Sequence, residues 1–529
     1  MNMLSRNTSI KNMKLGDISS DGFTIVELIV VILVIGILAS VSIISYSGWQ
    51  KSIVITQLKN DLGNAARAME ASRNFGISYP LSVPNTFSTS EGVTLAGGSY
   101  DNETAYCFDA TSSKYPDIQY YIENNNVEPQ EGNCLYRAKF ISIALGSYFS
   151  CGINLSNQVY CWGNNSQGQL GNNSLINSSV PIAVNTSGVL NGKTIKAVAA
   201  GWYHACVIAS DDKAYCWGDN SVGQLGNNSL VDSLVPVAVE ASGLLNNKVI
   251  ESIAAGGNTQ TGFQSHTCVI TSEHKAYCWG SGGSGQLGTT NYSNSSVPVA
   301  VSTGGVLTGL TILSISTGLN HTCVIASNNK PYCWGTDLGG QLGNDMWLIP
   351  VTQPTPVAVQ TTGLLSGKTV SALSVTGAYH SCVIASDLKA YCWGDNLHGA
   401  LGSNLGAVPM GYPDDVYVAG VLSGKTMKAI ATGQYNTCAI ASDDKAYCWG
   451  DNVNGTIGNN TINSSNVPRA VYDSGLLSNK IIKTVAVGGS HACATDIDNK
   501  IYCWGGNSSG QLGNNLTTNS LVPVHVELP

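Results

Sequence analysis

Charge is scarce in this chain of 529 residues: Asp, Glu, Lys and Arg make up only 11% of it. No Lys/Arg cluster of the kind that neutralises phosphates is present, and the formal net charge is −8, so a nucleic-acid partner is not expected. C-x2-C pairs are absent, which removes the usual zinc patterns. There is no Ser/His/Asp constellation with a nucleophile elbow, no phosphate loop and no H-E-x-x-H. The sequence therefore predicts no catalytic residue, no metal and no cofactor. No cysteine is left over either: the sixteen form an even set.

What is abundant is Gly (59), Asn and Ser, the composition of many short strands joined by tight turns. Tyr-Cys-Trp-Gly recurs seven times, each with a second cysteine ten residues upstream. The pairs are Cys151/Cys161, Cys206/Cys216, Cys268/Cys278, Cys323/Cys333, Cys382/Cys392, Cys438/Cys448 and Cys493/Cys503, and successive copies are 55, 62, 55, 59, 56 and 55 residues apart. Such a period marks a ring or stack of like units, more suited to a binding surface than to one catalytic pocket. In the copy from Lys193 to Val239, hydrophobic runs at Lys193–Ala200, His204–Ala209, Ala214–Trp217 and Val235–Val239 are separated by turn residues. Four strands per unit and seven units predict a seven-bladed β-propeller. Cysteines ten apart across a short hairpin share side-chain parity and face each other. The even set reads as disulfides in an oxidising compartment, with buried free thiols as the alternative. The short link from each fourth strand to the next first strand predicts that these two are antiparallel neighbours. On that reading Val522–Val526 pairs with Lys139–Ile143 to close the ring.

Five units carry His at one position (His204, His266, His321, His380, His491), where Phe149 and Asn436 stand in the others. Seven periodic positions cannot converge on one metal, so a packing role is expected. The seven Trp read as interblade core, and Asp219, Asp395 and Asp451 after Trp-Gly read as turn formers. Residues that break the repeat are more informative. The turns before the His positions carry Tyr148, Trp202, Tyr203, Tyr379 and Tyr435, and irregular segments add Phe263 and Trp347. An aromatic rim of this kind would bind a surface glycan or a protein ligand, against the alternative that the rings tuck into blade junctions.

The amino-terminal part is different. Phe23 to Ile44 is a nearly unbroken apolar run of 22 residues, long enough to span a bilayer, preceded by Arg6, Lys11 and Lys14. One carboxylate, Glu27, interrupts it. The 3.6-residue spacing of Ile55, Leu58, Leu62, Ala65 and Met69 continues the helix to about Phe75. Beyond it Pro80 and Pro84 open a small strand-and-loop head over 76–137.

Gly22-Phe23-Thr24-Ile25-Val26-Glu27 resembles the prepilin signature of type IV pilins and secretion pseudopilins. The resemblance implies a leader over 1–22, cleavage between Gly22 and Phe23 by a prepilin peptidase, and a transmembrane and assembly helix over 23–75. It further implies that Glu27 pairs with the terminal ammonium of a neighbouring pilin subunit, and that Cys107–Cys134 closes the head. The repeats over 138–529, with G-x-x-H…Y-C-W-G-x-N-x-x-G-Q-L-G, resemble the regulator of chromosome condensation repeat family, whose members form seven-bladed propellers. Gly399-Ala400-Leu401-Gly402 and Gly455-Thr456-Ile457-Gly458 depart from that pattern. Together the two resemblances predict a pilin-like protein, single-pass in the membrane before assembly. It would then stand at the cell surface as a minor or tip subunit of a type IV pilus, displaying an adhesive or ligand-binding propeller. The alternatives are a pseudopilin of a secretion system and a propeller enzyme acting on glycans.

Overall fold

A computed structural model describes residues 49–72, 88–100, 105–115, 118–123, 128–131, 139–258, 264–346, 352–377 and 379–527. The expected leader, the apolar run with Gly22, Phe23 and Glu27, and Cys134, Phe263 and Trp347 lie outside these residues. The chain divides into two compact units, Met1–Cys134 and Leu135–Pro529.

In the first unit a helix over 49–71 lies on an antiparallel sheet of β1 (Val93–Tyr100), β2 (Ala105–Ser112), β3 (Gln119–Glu123) and β4 (Gln130–Glu131). Val54, Leu58, Leu62, Ala65 and Met69 fall on one face at helical spacing and are buried against Phe108, Ala110 and Ile122. Asp61 on the same helix accepts the Ser90 N–H at 2.8 Å and the Ser90 hydroxyl at 3.0 Å, which fixes the approach to β1. The described helix is amphipathic, with its apolar stripe buried in its own unit. Among the described residues no helix is long and apolar enough to cross a membrane. Cys107 is disulfide-bonded.

The second unit is seven four-stranded antiparallel sheets in chain order. Blade 1 is β5 (Phe140–Leu145), β6 (Phe149–Asn154), β7 (Val159–Gly163) and β8 (Ser178–Ala183). Blade 2 repeats it as β9 (Ile195–Ala200), β10 (His204–Ala209), β11 (Ala214–Gly218) and β12 (Ser233–Ala238). The series runs on through β13 to β32, with blade 7 formed by β29 (Ile482–Val487), β30 (His491–Asp496), β31 (Ile501–Gly505) and β32 (Ser520–His525). The second and third strands are buried along nearly their whole length, as residues flanked by neighbouring blades on both faces must be. Their hairpin turns need a left-handed residue, supplied in five blades by Asn or Asp (Asn157, Asp212, Asn329, Asp444, Asn499) and in two by His274 and Leu388. Each fourth strand is a sheet edge. Its proline, Pro236 in β12, sits at the register shift between Val237 and Ser233, where no ladder N–H is lost.

In every blade the two cysteines are directly opposed in the register of the second and third strands and joined to each other. The bridges are Cys151–Cys161, Cys206–Cys216, Cys268–Cys278 and Cys323–Cys333 in blades 1 to 4. Blades 5 to 7 have Cys382–Cys392, Cys438–Cys448 and Cys493–Cys503. Their Cα atoms stand 4.0 Å apart in blade 1 and 4.1 Å in blade 3, the close approach of facing strand residues. All seven pairings are those expected from the ten-residue spacing, and the alternative of buried free thiols does not apply to the described residues. The core lies between blades. One cluster joins Ile208, Cys216, Leu225 and Val239 of blade 2 to Ile250, Val269, Tyr277 and Trp279 of blade 3.

The strand exchange expected at ring closure is corrected. β12 pairs only with β11 in its sheet, and β32 pairs with β31 within blade 7. Fourth strands stand at the outer edge and first strands line the centre, so a short link joins them without making them ladder partners. Closure instead uses the same side-chain junction as every other pair of blades: Phe140, Leu145 and Trp162 of blade 1 pack with Cys493, Cys503, Leu512 and Val526 of blade 7. Phe140 N–H also donates to Asn499 C=O at 2.9 Å.

Candidate functional site

The periodic histidines are wholly buried at the junctions, each pointing at the next blade. His204 Nε2 lies 2.8 Å from Thr267 Oγ1, His266 Nε2 2.8 Å from Thr322 Oγ1 and His321 Nε2 3.1 Å from Ser381 Oγ. His380 Nε2 lies 2.7 Å from Thr437 Oγ1, and His491 Nε2 of the last blade 2.8 Å from Ser150 Oγ of the first. Each hydroxyl gives its one proton to a main-chain carbonyl of the histidine's blade, as Thr267 does to Gln224 at 2.9 Å. It must then accept from the imidazole, which fixes the Nε2–H tautomer. The same carbonyl receives the indole N–H of the next blade's tryptophan: Trp279 to Gln224 at 2.9 Å, and Trp162 to Gln511 at 3.0 Å across the closure. Burial pushes all five imidazoles down to about 3. They are structural and neutral.

The hydroxyl partners were missed at the level of single repeats, yet the signal is in the sequence. It lies between consecutive repeats: wherever one unit has His, the next has Thr or Ser one residue before its first cysteine, and after Phe149 and Asn436 the next unit has Ala205 and Ala492. Asn436 turns inward and donates to Asp451 C=O of its own blade.

The turns between first and second strands share one end of the central channel, where Ser147, Trp202, Gly257, Gly377 and Gly489 line a single narrow opening. The rim aromatics occupy two places there. Trp202 is only 6% exposed and meets the half-buried Tyr203 edge-on, with centroids 6.5 Å apart. Burial raises the Tyr203 hydroxyl above its ordinary range, and Tyr148 is half-buried nearby in blade 1. On blades 5 and 6, Tyr379 and Tyr435 stack at 5.8 Å with planes 26° apart, and the exposed His398 lies 4.4 Å from Tyr435. His398 Nδ1 is 4.0 Å from Asp451.

Of the aspartates after Trp-Gly, Asp219 and Asp395 are turn formers. Asp219 accepts the Ser221 N–H and the Gln224 amide, and Asp395 accepts the Leu397 N–H. Among the described residues no three His, Cys, Asp or Glu side chains converge to hold a metal.

Models of the regulator of chromosome condensation (RCC1) repeat match residues 140–169, 195–224, 250–286, 370–400, 427–456 and 482–511, and in a second version 156–208, 211–261, 273–325, 443–495 and 498–529. The ultraviolet-B receptor UVR8 of Arabidopsis thaliana is 28% identical over 70% of this chain and 76% of its own. The mouse E3 ubiquitin-protein ligase HERC2 is 28% identical over 58% of this chain, which spans only 6% of HERC2. Among solved structures, human WBSCR16 superposes with a TM-score of 0.60 at 20% identity over 70% of this chain and 94% of its own. Prp20p of Saccharomyces cerevisiae gives 0.58 at 18% over 74% and 88%.

These findings correct the functional expectation. The relatives are RCC1-type proteins, which point to a regulator or binding protein and not to a pilus or secretion subunit. The expected partners (pilin subunits, a prepilin peptidase, the membrane, a surface glycan) and the placement in a membrane, pilus or cell surface fall with it. The repeat array makes up most of the chain and outweighs the six-residue motif at 22–27 in assigning a role. Through most of residues 140–529 the chain matches these models, and it belongs to the RCC1 repeat family.

Proposed function

We propose that the propeller is a protein-binding module, and that its partner docks on the rim at the channel mouth. The observation that carries this is the stacked pair Tyr379–Tyr435 with His398 against it, at the same end of the ring as Tyr148, Trp202 and Tyr203. All four tyrosines are half-buried. Their planes are held by packing while their edges remain within reach, so docking costs little side-chain entropy. Asp395 and Asp451 lie in the turns beside Tyr379 and Tyr435, each donating its N–H to that tyrosine's carbonyl, and the net charge is −8. A partner segment bearing Arg or Lys fits this chemistry through ring faces and carboxylates together. The structural report on Prp20p names binding to Gsp1p and histones, which supports a protein ligand for this class of propeller.

The test places a photo-crosslinking residue at Tyr379 in the full-length protein, and in a second version at Asp443, in the hairpin turn at the other end of the blade. The reading expects defined adducts from the first site, weakened by salt and abolished by Tyr435→Ala. Equal adducts from both sites, or adducts indifferent to Tyr435→Ala, would refute it.

A further inference from the structure

The loop from third to fourth strand is pinned by one buried side chain, the second residue after Trp-Gly. In five blades that residue is Asn: Asn165, Asn220, Asn396, Asn452 and Asn507. In blade 2, Asn220 Oδ1 accepts the Leu225 N–H at 3.0 Å. Its amide nitrogen points into a cage of oxygens, donating to Asn227 Oδ1 at 3.1 Å, Ser229 C=O at 3.0 Å and Val231 C=O at 3.1 Å. Asn165, Asn452 and Asn507 make the same set of bonds. Blade 3 has Gly282 at this place, and blade 4 has Asp337. The blade 4 loop is also three residues longer, running from Gly335 to its register partner Gln353 where blade 2 runs from Gly218 to Ser233.

Asp337 is 1% exposed. Its Oδ1 accepts the Leu342 N–H at 2.9 Å, the bond that Asn220 Oδ1 makes to Leu225. Oδ2 therefore stands where the other blades have the amide nitrogen, and it is buried with no partner. The loop it faces keeps the common course as far as Met346. Asp345 has φ of +62° where Asn228 has +59°. The Asp345 N–H meets Gly411 C=O at 2.8 Å, as the Asn228 N–H meets Ser296 C=O at 2.9 Å. The Met346 N–H donates to Asn344 Oδ1 at 3.2 Å, as the Thr461 N–H does to Asn459 Oδ1 in blade 6. Asn344 Oδ1 and Met346 C=O thus take the places of Asn459 Oδ1 and Thr461 C=O. An ionised carboxylate only accepts, so Asp337 replaces the one donor of the cage by a further oxygen. Burial raises this carboxyl to about 6, which leaves it largely ionised at neutral pH. A buried charge among oxygens needs a positive partner. Residues 338–352 contain no Lys, Arg or His to supply one.

We propose that Asp337 Oδ2, Asn344 Oδ1 and the Met346 carbonyl hold a hard metal cation, with water completing its shell. The donors are a carboxylate, an amide oxygen and a main-chain carbonyl, the oxygen set that hard cations take. One carboxylate among neutral oxygens balances a single positive charge, which favours Na+ over Ca2+, although the same donors accept either. The ion does in blade 4 what the Asn amide does in blades 1, 2, 6 and 7: it ties the start of the loop to its return. A proton competes with the cation for the same oxygen, so the value of about 6 belongs to the carboxyl with no cation beside it. This site does not rest on the rim docking proposed above.

The test is thermal unfolding of the full-length protein, first stripped with EDTA and desalted. It is melted in NaCl, in CaCl2 and in choline chloride at equal ionic strength and neutral pH, beside the variant Asp337→Asn. The parent should melt higher in Na+ or Ca2+ than in choline by roughly 2 °C or more, and the arm with the larger rise identifies the ion. Asp337→Asn restores the amide that five other blades carry. It should melt alike in all three salts, at or above the parent's value in choline. A parent that melts alike in all three salts overturns the proposal, and this readout needs no variant. Asp337→Asn keeping the cation dependence would place the ion elsewhere and overturn it as well.

Discussion

The junction histidines make the propeller acid-labile, by an amount that follows from their burial. Each imidazole sits at about 3 in the fold and at about 6.5 when the chain is unfolded. The folded value is the lower one, so the unfolded chain binds more protons between these limits. The stability contribution is full above about 6.5 and is lost as pH falls toward about 3. One unit is worth about 1.4 kcal/mol, so each histidine forfeits about 2 kcal/mol by pH 5, and five together on the order of 10 kcal/mol. Asp337 opposes this. Burial raises its carboxyl to about 6, so acidification to pH 5 relieves about 1.4 kcal/mol there, and Asp219, Asp414 and Glu527 shift in the same direction. The net loss still rivals the whole stability of an ordinary domain. Urea unfolding followed by the fluorescence of the indoles buried at the junctions, from about pH 7.5 to about pH 5, should show a midpoint that falls steeply, with a slope of about four protons. A midpoint flat across that range would refute the burial of neutral imidazoles at the junctions. The double variant His204→Phe with Thr267→Ala copies the natural Phe149/Ala205 junction. It should lower the slope by about one proton, and His204→Phe alone should be less stable than the pair by about 1 kcal/mol.

Two further predictions concern the junctions. Gly226 has φ of +66°, and a Cβ there would stand 2.6 Å from Trp279 Nε1. Gly226→Ala should therefore destabilise by about 2 kcal/mol or more, read as a lowered melting temperature, while Gly243→Ala, with open space around its Cβ, should do far less. Deleting residues 520–529 removes β32 and Val526, hence the outer strand of blade 7 and part of the packing on Trp162 across the closure. Melting of the whole ring should drop; unchanged melting would mean that closure does not depend on that contact.

The division between what was legible and what was not follows the range of the interactions. Period-two strands, turn residues and paired cysteines are written locally, so four-stranded blades stapled at Cys206–Cys216 and its six equivalents could be read from one chain. The burial of Trp in Tyr-Cys-Trp-Gly followed from repetition alone. The rim residues were also named from the sequence, but not their states: that Trp202 turns inward while Tyr379 stacks on Tyr435 depends on how neighbouring blades meet.

Only the tertiary structure decided the closure of the ring and the histidine–hydroxyl–carbonyl junctions. Each arises between residues about one repeat apart or, for His491 and Ser150, across nearly the whole array. A hydrogen bond between blades leaves no trace in either blade's own periodicity. It is visible only once the ring sets one unit's outward-pointing His beside the next unit's hydroxyl. The sequence by itself determined the blade; the packing of one blade on the next determined which of its residues remain free to meet a partner.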